Sequence, residues 1–368
     1  MSAIQITKSI FSQNMSDISV VAKNGSKCSV EIIPRASQSA VTFSISPWNN
    51  KILLRTSDIV NNYAIEYNPR LDQNYVIGGI TLDKITIKVS IDNVVSEFII
   101  DYIPGGYNAL ELKDEYEFLK HNFLTNRPQI TYTSLGIKEI LSFVIYNQGP
   151  DSTKDYTTIV RNLQATVYLN NGTTTTVSLG TIRTDCQMYL LDCSLTKIAS
   201  KISGQNANDI VAYDVYGVND GDNYTNPQRF IVRPLNSSYS YFLFQNKLGG
   251  FDTITATGEV ISSTKSNIQT SIVRRIETEV NNDLTRSWEV NTGYIVSAQE
   301  ENWWLEFFGS TNKYILFADG TYRRIILEEY KAERTHQSCG SFTFKYHYAE
   351  PMVSKYFPKL IALEPYNK

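Results

Sequence analysis

His121, His336 and His347 are the only histidines in 368 residues, so few side chains can exchange protons near neutral pH without a shifted pKa. His336 lies close to Cys339, which brings a thiol and a base together in sequence. A nucleophile also needs an orienting group and an oxyanion site, and an exposed loop histidine beside a structural thiol explains the pair with fewer parts. Oxygen ligands gather at Asp214, Asn219, Asp220, Asp222 and Asn223. Calcium takes roughly six to eight oxygens, but Gly221 and the acids fall in the wrong order for an EF-hand loop. An Asp-Gly turn in a solvated loop accounts for the segment. Glu300, Glu301 and Glu306 beside Trp303 and Trp304 suggest a glycosidase with sugar-stacking walls. Against that, Ser297 and Glu300 have capping-box spacing, and the aromatic residues form a core-facing helical stripe. Glu328 and Glu329 are adjacent and face opposite sides of a strand. Gly78-Gly79 and Gly249-Gly250 belong to no phosphate-cradling pattern and read as turns. Arg274-Arg275 and Arg323-Arg324 are too short to bind nucleic acid. The sequons at Asn171 and Asn236 follow from the Asn, Ser and Thr content. No catalytic, cofactor-binding or metal-ligating residue is therefore assigned, no cofactor is expected, and the chain is expected not to be an enzyme.

With chemistry set aside, the question becomes what the chain builds. Its length exceeds one ordinary core and implies two or three domains of roughly 100–150 residues. Hydrophobic residues make up 42%, enough for each domain to bury a core and to exclude overall disorder. The net charge of −3, from 34 Lys and Arg against 37 Asp and Glu, exerts no long-range pull on nucleic acid or an anionic membrane. Cys28, Cys186, Cys193 and Cys339 match neither a zinc ribbon nor a redox motif. Cys186 and Cys193 are near enough to close a small disulfide loop, but free buried thiols are the expectation. The first residues lack the basic start and apolar core of a signal peptide, and no apolar run spans a bilayer. Synthesis in the cytoplasm without a leader is expected.

Mainly β architecture is expected, as consecutive sandwich-like domains of immunoglobulin or fibronectin-III size with a few short helices. Residues 1–104 form the first unit, with Ile85, Ile87, Val89 and Ile91 on one face, a turn at Asp92-Asn93, a partner strand at 94–102 and a strand at 41–45. The Pro-Gly-Gly run at 104–106 marks a boundary. Residues 105–126 are a linker with a helical pattern at Leu112, Tyr116, Leu119 and Phe123. Residues 127–235 are the second unit, with strands at 140–146, 164–169, 174–179, 210–218 and 229–233, a hairpin turn at Asn171-Gly172, and a helix presenting Leu195, Ile198, Ala199 and Ile202 until Gly204. Residues 236–368 are the third. Strands at 241–245 and 251–260 open it, residues 262–291 are too polar to place, and a helix over 298–308 follows. In that helix Trp303 with Phe307, and Trp304 with Phe308, are four apart and stack, and Gly309 supplies a left-handed stop. A hairpin turning at Asp319-Gly320 and an alternating strand from Phe342 to Tyr348 complete the unit.

Three segments together carry a resemblance: Phe123, Leu124, Thr125, Asn126 and Arg127; residues 241–255 (YFLFQNKLGGFDTIT); and residues 297–327 with their helix, Gly309-Ser310 break and Asp-Gly hairpin. In this order they resemble tail-associated structural proteins of phages and prophages that infect Bacteroides and its relatives. That resemblance implies a virion protein of the distal tail or baseplate, assembled as a ring-type homo-oligomer with other tail proteins as partners. It implies neither nucleic acid nor membrane as a partner, and release by lysis. The family has no established catalytic residues, so none are carried over. The alternative is a glycan-binding sandwich or adhesin, with Trp48, Trp288 or tyrosines stacking on sugars; a glycosidase ranks third.

Overall fold

The computed structural model describes residues 9–34, 39–63, 77–108, 115–145, 161–182, 187–202, 206–219, 222–223, 225–234, 239–273, 276–332 and 340–350. The chain is mainly β, built of several sheets that are antiparallel apart from one parallel strand pair, with four α-helices among the described residues. The first stretch holds β1 (Ile18–Val21), β2 (Cys28–Ile33), β3 (Val41–Ile45), β4 (Lys51–Leu54), α1 (Thr56–Tyr63), β5 (Ile77–Thr81), β6 (Asp83–Ile91) and β7 (Val94–Tyr102). A sheet ordered β3-β2-β6-β7 packs against the β1–β4 pair. Ile85, Ile87 and Val89 meet Ile18, Val20, Leu54 and Val60 in a closed core. The β6–β7 turn puts Asp92 and Asn93 at φ 47° and 69°, the conformation that Asn and Asp tolerate best in two-residue hairpins.

The middle stretch holds α2 (Glu115–His121), β8 (Ile130–Thr133), β9 (Ile140–Ile145), β10 (Arg161–Leu169), β11 (Thr174–Ile182), β12 (Gln187–Asp192), α3 (Leu195–Ala199), β13 (Ile210–Asn219), β14 (Asp222–Asn223) and β15 (Gln228–Val232). The sheet β11-β10-β13-β15-β8 faces the sheet β5-β12-β9, and Val167, Tyr213 and Phe230 pack with Phe143, Tyr189 and Leu191. β5 comes from residues expected in the first unit, and its Gly78 and Gly79 lie opposite Leu190 and Tyr189. Gly78-Gly79 is therefore strand, not turn: with no side chains to announce a face, the pair looks like punctuation in the sequence. α3 stops at Ala199, shorter than its apolar spacing promised, and Gly204 lies outside the described residues.

The last stretch holds β16 (Ser240–Gln245), β17 (Phe251–Ala256), β18 (Val260–Val273), β19 (Ile276–Asn291), α4 (Ala298–Gly309), β20 (Lys313–Leu316), β21 (Tyr322–Lys331) and β22 (Thr343–Tyr348). They form one seven-stranded sheet, β17-β16-β20-β21-β22-β19-β18, whose inner face carries Phe242, Ile315, Trp288, Phe344 and Tyr346 beneath α4. Trp304 and Phe308 meet as expected, with ring centroids 6.0 Å apart, but are tilted by 32° rather than stacked. Trp303 packs instead against the Arg127 guanidinium, as described below. Ser297 accepts the Glu300 N–H at 3.1 Å, but Glu300 reaches back to the Val296 N–H at 3.0 Å, one residue beyond the capping-box target. Gly309 is the last helical residue and is not left-handed; Ser310 ends the helix in an extended conformation. Lys313 takes over the stopping role, donating to the carbonyls of Phe308 and Ser310, which satisfies orphan acceptors at the negative helix end.

Residues 262–291, unplaced in the sequence, are mostly a two-stranded arm. β18 and β19 pair from Val260↔Val290 to Val273↔Ile276, whereas β22 supports β19 only from Ser287 to Asn291. The 10 residue pairs from Thr264↔Arg286 to Val273↔Ile276, roughly 33 Å of ribbon, extend beyond that support. The arm escaped sequence reading because both its faces are polar, so no alternation marks it.

A fourth core draws on every stretch. Phe11, Leu82 and Ile103 meet Leu124, Val144 and Met188, and these meet Leu243, Phe251 and Leu316. The residues around 104–106 are packed rather than slack. Gly106 N–H donates to the Lys247 carbonyl at 2.8 Å, and a Cβ on Gly105 would sit 2.6 Å from the Gly249 nitrogen.

Candidate functional site

The pentapeptide 123–127 is the clasp of this junction. Phe123 enters the middle core and Leu124 the shared one. Thr125 donates to Asp252 at 2.9 Å, and Asn126 to Glu306 at 2.7 Å. Arg127 is wholly buried and donates to Glu139 at 3.1 Å, to Asp252 at 3.4 Å and to the carbonyls of Ile140 and Thr253. Its guanidinium lies between the rings of Trp303, at 5.0 Å, and Phe230, at 5.8 Å. Asn246 completes the cluster, donating to Asp252 at 2.8 Å and to the Leu124 carbonyl at 2.7 Å. The three segments that carried the resemblance thus converge on one buried polar centre.

Its electrostatics follow from burial. Desolvation raises the carboxyls of Glu139 and Asp252, and Arg127 pulls both back down. Burial alone would lower Arg127, but Asp252 and Glu139 hold it raised. Glu306, buried with only Asn126 as a hydrogen-bonding partner for one oxygen, is pushed up to about 7 chiefly by desolvation. Such a cluster fixes the relative placement of β9, β17 and α4, because an unpaired member would be a buried charge. Enclosure and dense internal hydrogen bonding make it a structural centre.

Beside it opens a cleft of about 300 Å³ between β8 and the β17–α4 face, sharing Glu139, Thr253 and Trp303 with the junction. Tyr132 and Arg233 line one side, the guanidinium stacked 3.3 Å from the ring centroid. Tyr294, 79% exposed, and Glu300 line the other.

The remaining candidates stay apart. His121 meets Glu117 at 3.2 Å, and His347 meets Glu328 at 3.1 Å, both near the surface; His336 and Cys339 lie outside the described residues. Asp214 is held by Arg229 at 2.6 and 2.7 Å and by Tyr168 at 2.9 Å; Asp220 and the side chains of Asn219, Asp222 and Asn223 lie outside what is described. No group of three or more metal-ligating side chains occurs among the described residues. Glu300 and Glu306 are engaged separately and do not converge. Cys193 is a free buried thiol, so it closes no loop with Cys186, which lies outside the described residues. Among the sugar-stacking candidates, Trp288 is buried at 2% exposure beneath Tyr346, whereas Trp48 stands 77% exposed on a turn. No helix among the described residues is long and apolar enough to cross a membrane.

No family model matches the sequence, and no curated protein matches it. Among solved structures, a chain of "Virion of native gene transfer agent (GTA) particle" aligns over 30% of this chain and 91% of its own, at 12% identity and a TM-score of 0.22. A likeness at that level bears no functional weight, and the resemblance to tail proteins rests on the three converging segments alone.

Proposed function

We propose that this protein is a structural subunit of a tailed-phage virion, in the tail or baseplate, which acts by assembly rather than catalysis. The observation that carries this reading is the β18–β19 arm. Every side chain described from Ile261 to Ile272 is exposed, and β18 is the edge strand of its sheet. An isolated two-stranded ribbon is marginal in water. A long edge with one lysine, one register irregularity at Gln269/Thr270, no proline and no glycine in Val260–Val273 carries few of the devices that prevent pairing with another chain. Both properties are explained if the arm is seated on a neighbouring subunit, in a head-to-tail ring of copies. The rigid junction behind it suits the same role, since an arm positions a partner only if its base cannot move.

Antibody detection of the chain in purified particles of the encoding phage tests the reading. Detection at a fixed ratio to the other tail proteins is expected; its absence from intact particles, with abundant protein in the lysate, would contradict it.

A further inference from the structure

The cleft between β8 and α4 has a composition that the junction and the arm do not require. Its polar lining is rich in hydroxyls; Thr131 and Thr292 spend their protons on the Pro128 and Gly293 carbonyls, whereas Thr255 and Thr257 are each able to donate and accept. Aromatic rings stand on both walls at Tyr132 and Tyr294. Of the three charged residues in the lining, Glu139 is spent on Arg127, which leaves two planar groups. Arg233 stacks on Tyr132 and makes no ion pair among the described residues. Glu300 uses one oxygen on the Val296 N–H and has the other to offer. Guanidinium and carboxylate forks each match adjacent hydroxyls on a ring, and aromatic faces match the C–H faces of the same ring. We propose that this cleft binds a neutral carbohydrate, with Tyr294 and Tyr132 as stacking walls and Arg233 and Glu300 as the hydroxyl-binding forks. The acids Glu300 and Glu301 in the first turn of α4 disfavour an anionic ligand. An extended peptide fits less well, because β8 offers an edge only four residues long and the lining groups are side chains rather than open backbone. The inference does not depend on the virion reading, since such a site would serve an adhesin equally.

The test uses the full chain and a panel of neutral oligosaccharides (cello-, malto-, xylo- and chito-series), titrated by calorimetry. Tyr294→Ala, on an exposed side chain, and Arg233→Gln are compared with Trp48→Ala. Binding of at least one series in the micromolar to millimolar range is expected, weakened about tenfold by Tyr294→Ala, reduced by Arg233→Gln and unchanged by Trp48→Ala. No binding to any series at millimolar sugar overturns the proposal. So does binding that survives both cleft variants but is lost in Trp48→Ala, or a cleft that takes an extended peptide from a display library and no sugar.

Discussion

Arg127 is a residue whose importance follows from what its loss would strand. Replacing it with Met keeps the bulk but leaves Glu139 and Asp252 buried without their cation. Urea denaturation should show a loss of about 3–5 kcal/mol. Arg127→Lys should recover only part of that, because an ammonium cannot span both carboxylates and two carbonyls as a fork does. Glu306 makes a prediction about pH. Its folded pKa, raised from 4.5 to about 7 by burial, means that its contribution to stability is full below about pH 4.5 and is lost as pH rises through about 7. Glu306→Gln keeps the acceptor that Asn126 needs and removes the titration. It should flatten the stability profile between about pH 5 and 8 and add about 1–2 kcal/mol at pH 8; superimposable profiles would refute the assignment. At this scale the sequence was partly legible. The capping serine, the Asp319-Gly320 turn and the buried Phe344 and Tyr346 follow from local pattern. The junction does not, because Arg127, Glu139, Asp252 and Glu306 are dispersed over about 180 residues and no local period links a guanidinium to carboxylates on other elements.

Elements were read well where one face differs from the other. β7, β22 and α4 alternate or repeat clearly, and the structure places them within a residue of expectation, whereas the alternation from Ile80 to Ile91 is divided between β5, which ends at Thr81, and β6, which begins at Asp83. Reading failed at both extremes of burial contrast. β9 is buried on both faces, which its continuous Ile-Leu-Ser-Phe-Val-Ile run reflects, so its sequence marks a strand but not the two cores it separates. The β18–β19 arm is exposed on both faces and shows no pattern at all. Helix α4 offers a test of how its end is built. Gly309 lacks the left-handed conformation that would demand glycine, and a Cβ there meets no atom within 4 Å. Gly309→Ala should therefore raise stability by about 0.5–1 kcal/mol in thermal unfolding, whereas a true left-handed stop would be destabilised by the same change.

At the scale of the molecule, a shared core and a buried ionic clasp bind the stretches into one body from which the β18–β19 arm projects. The boundaries expected near 104 and 126 fall where the chain is closely packed: β5 crosses into the middle sheet, and residues 123–127 reach into the last stretch. Such a body has little use for internal movement and much for presenting fixed surfaces. Its small net charge permits copies to approach without strong mutual repulsion.

The reading stands on one idea, that this ribbon exists to grip another copy. Light scattering on the full chain at micromolar concentration, beside a variant whose residues 265–285 are replaced by Asn-Gly so that Thr264 and Arg286 keep their pairing, tests it most directly. A closed oligomer for the full chain and a folded monomer for the trimmed one is the predicted result; a full chain that stays monomeric at every concentration, or a trimmed one that assembles unchanged, would contradict it.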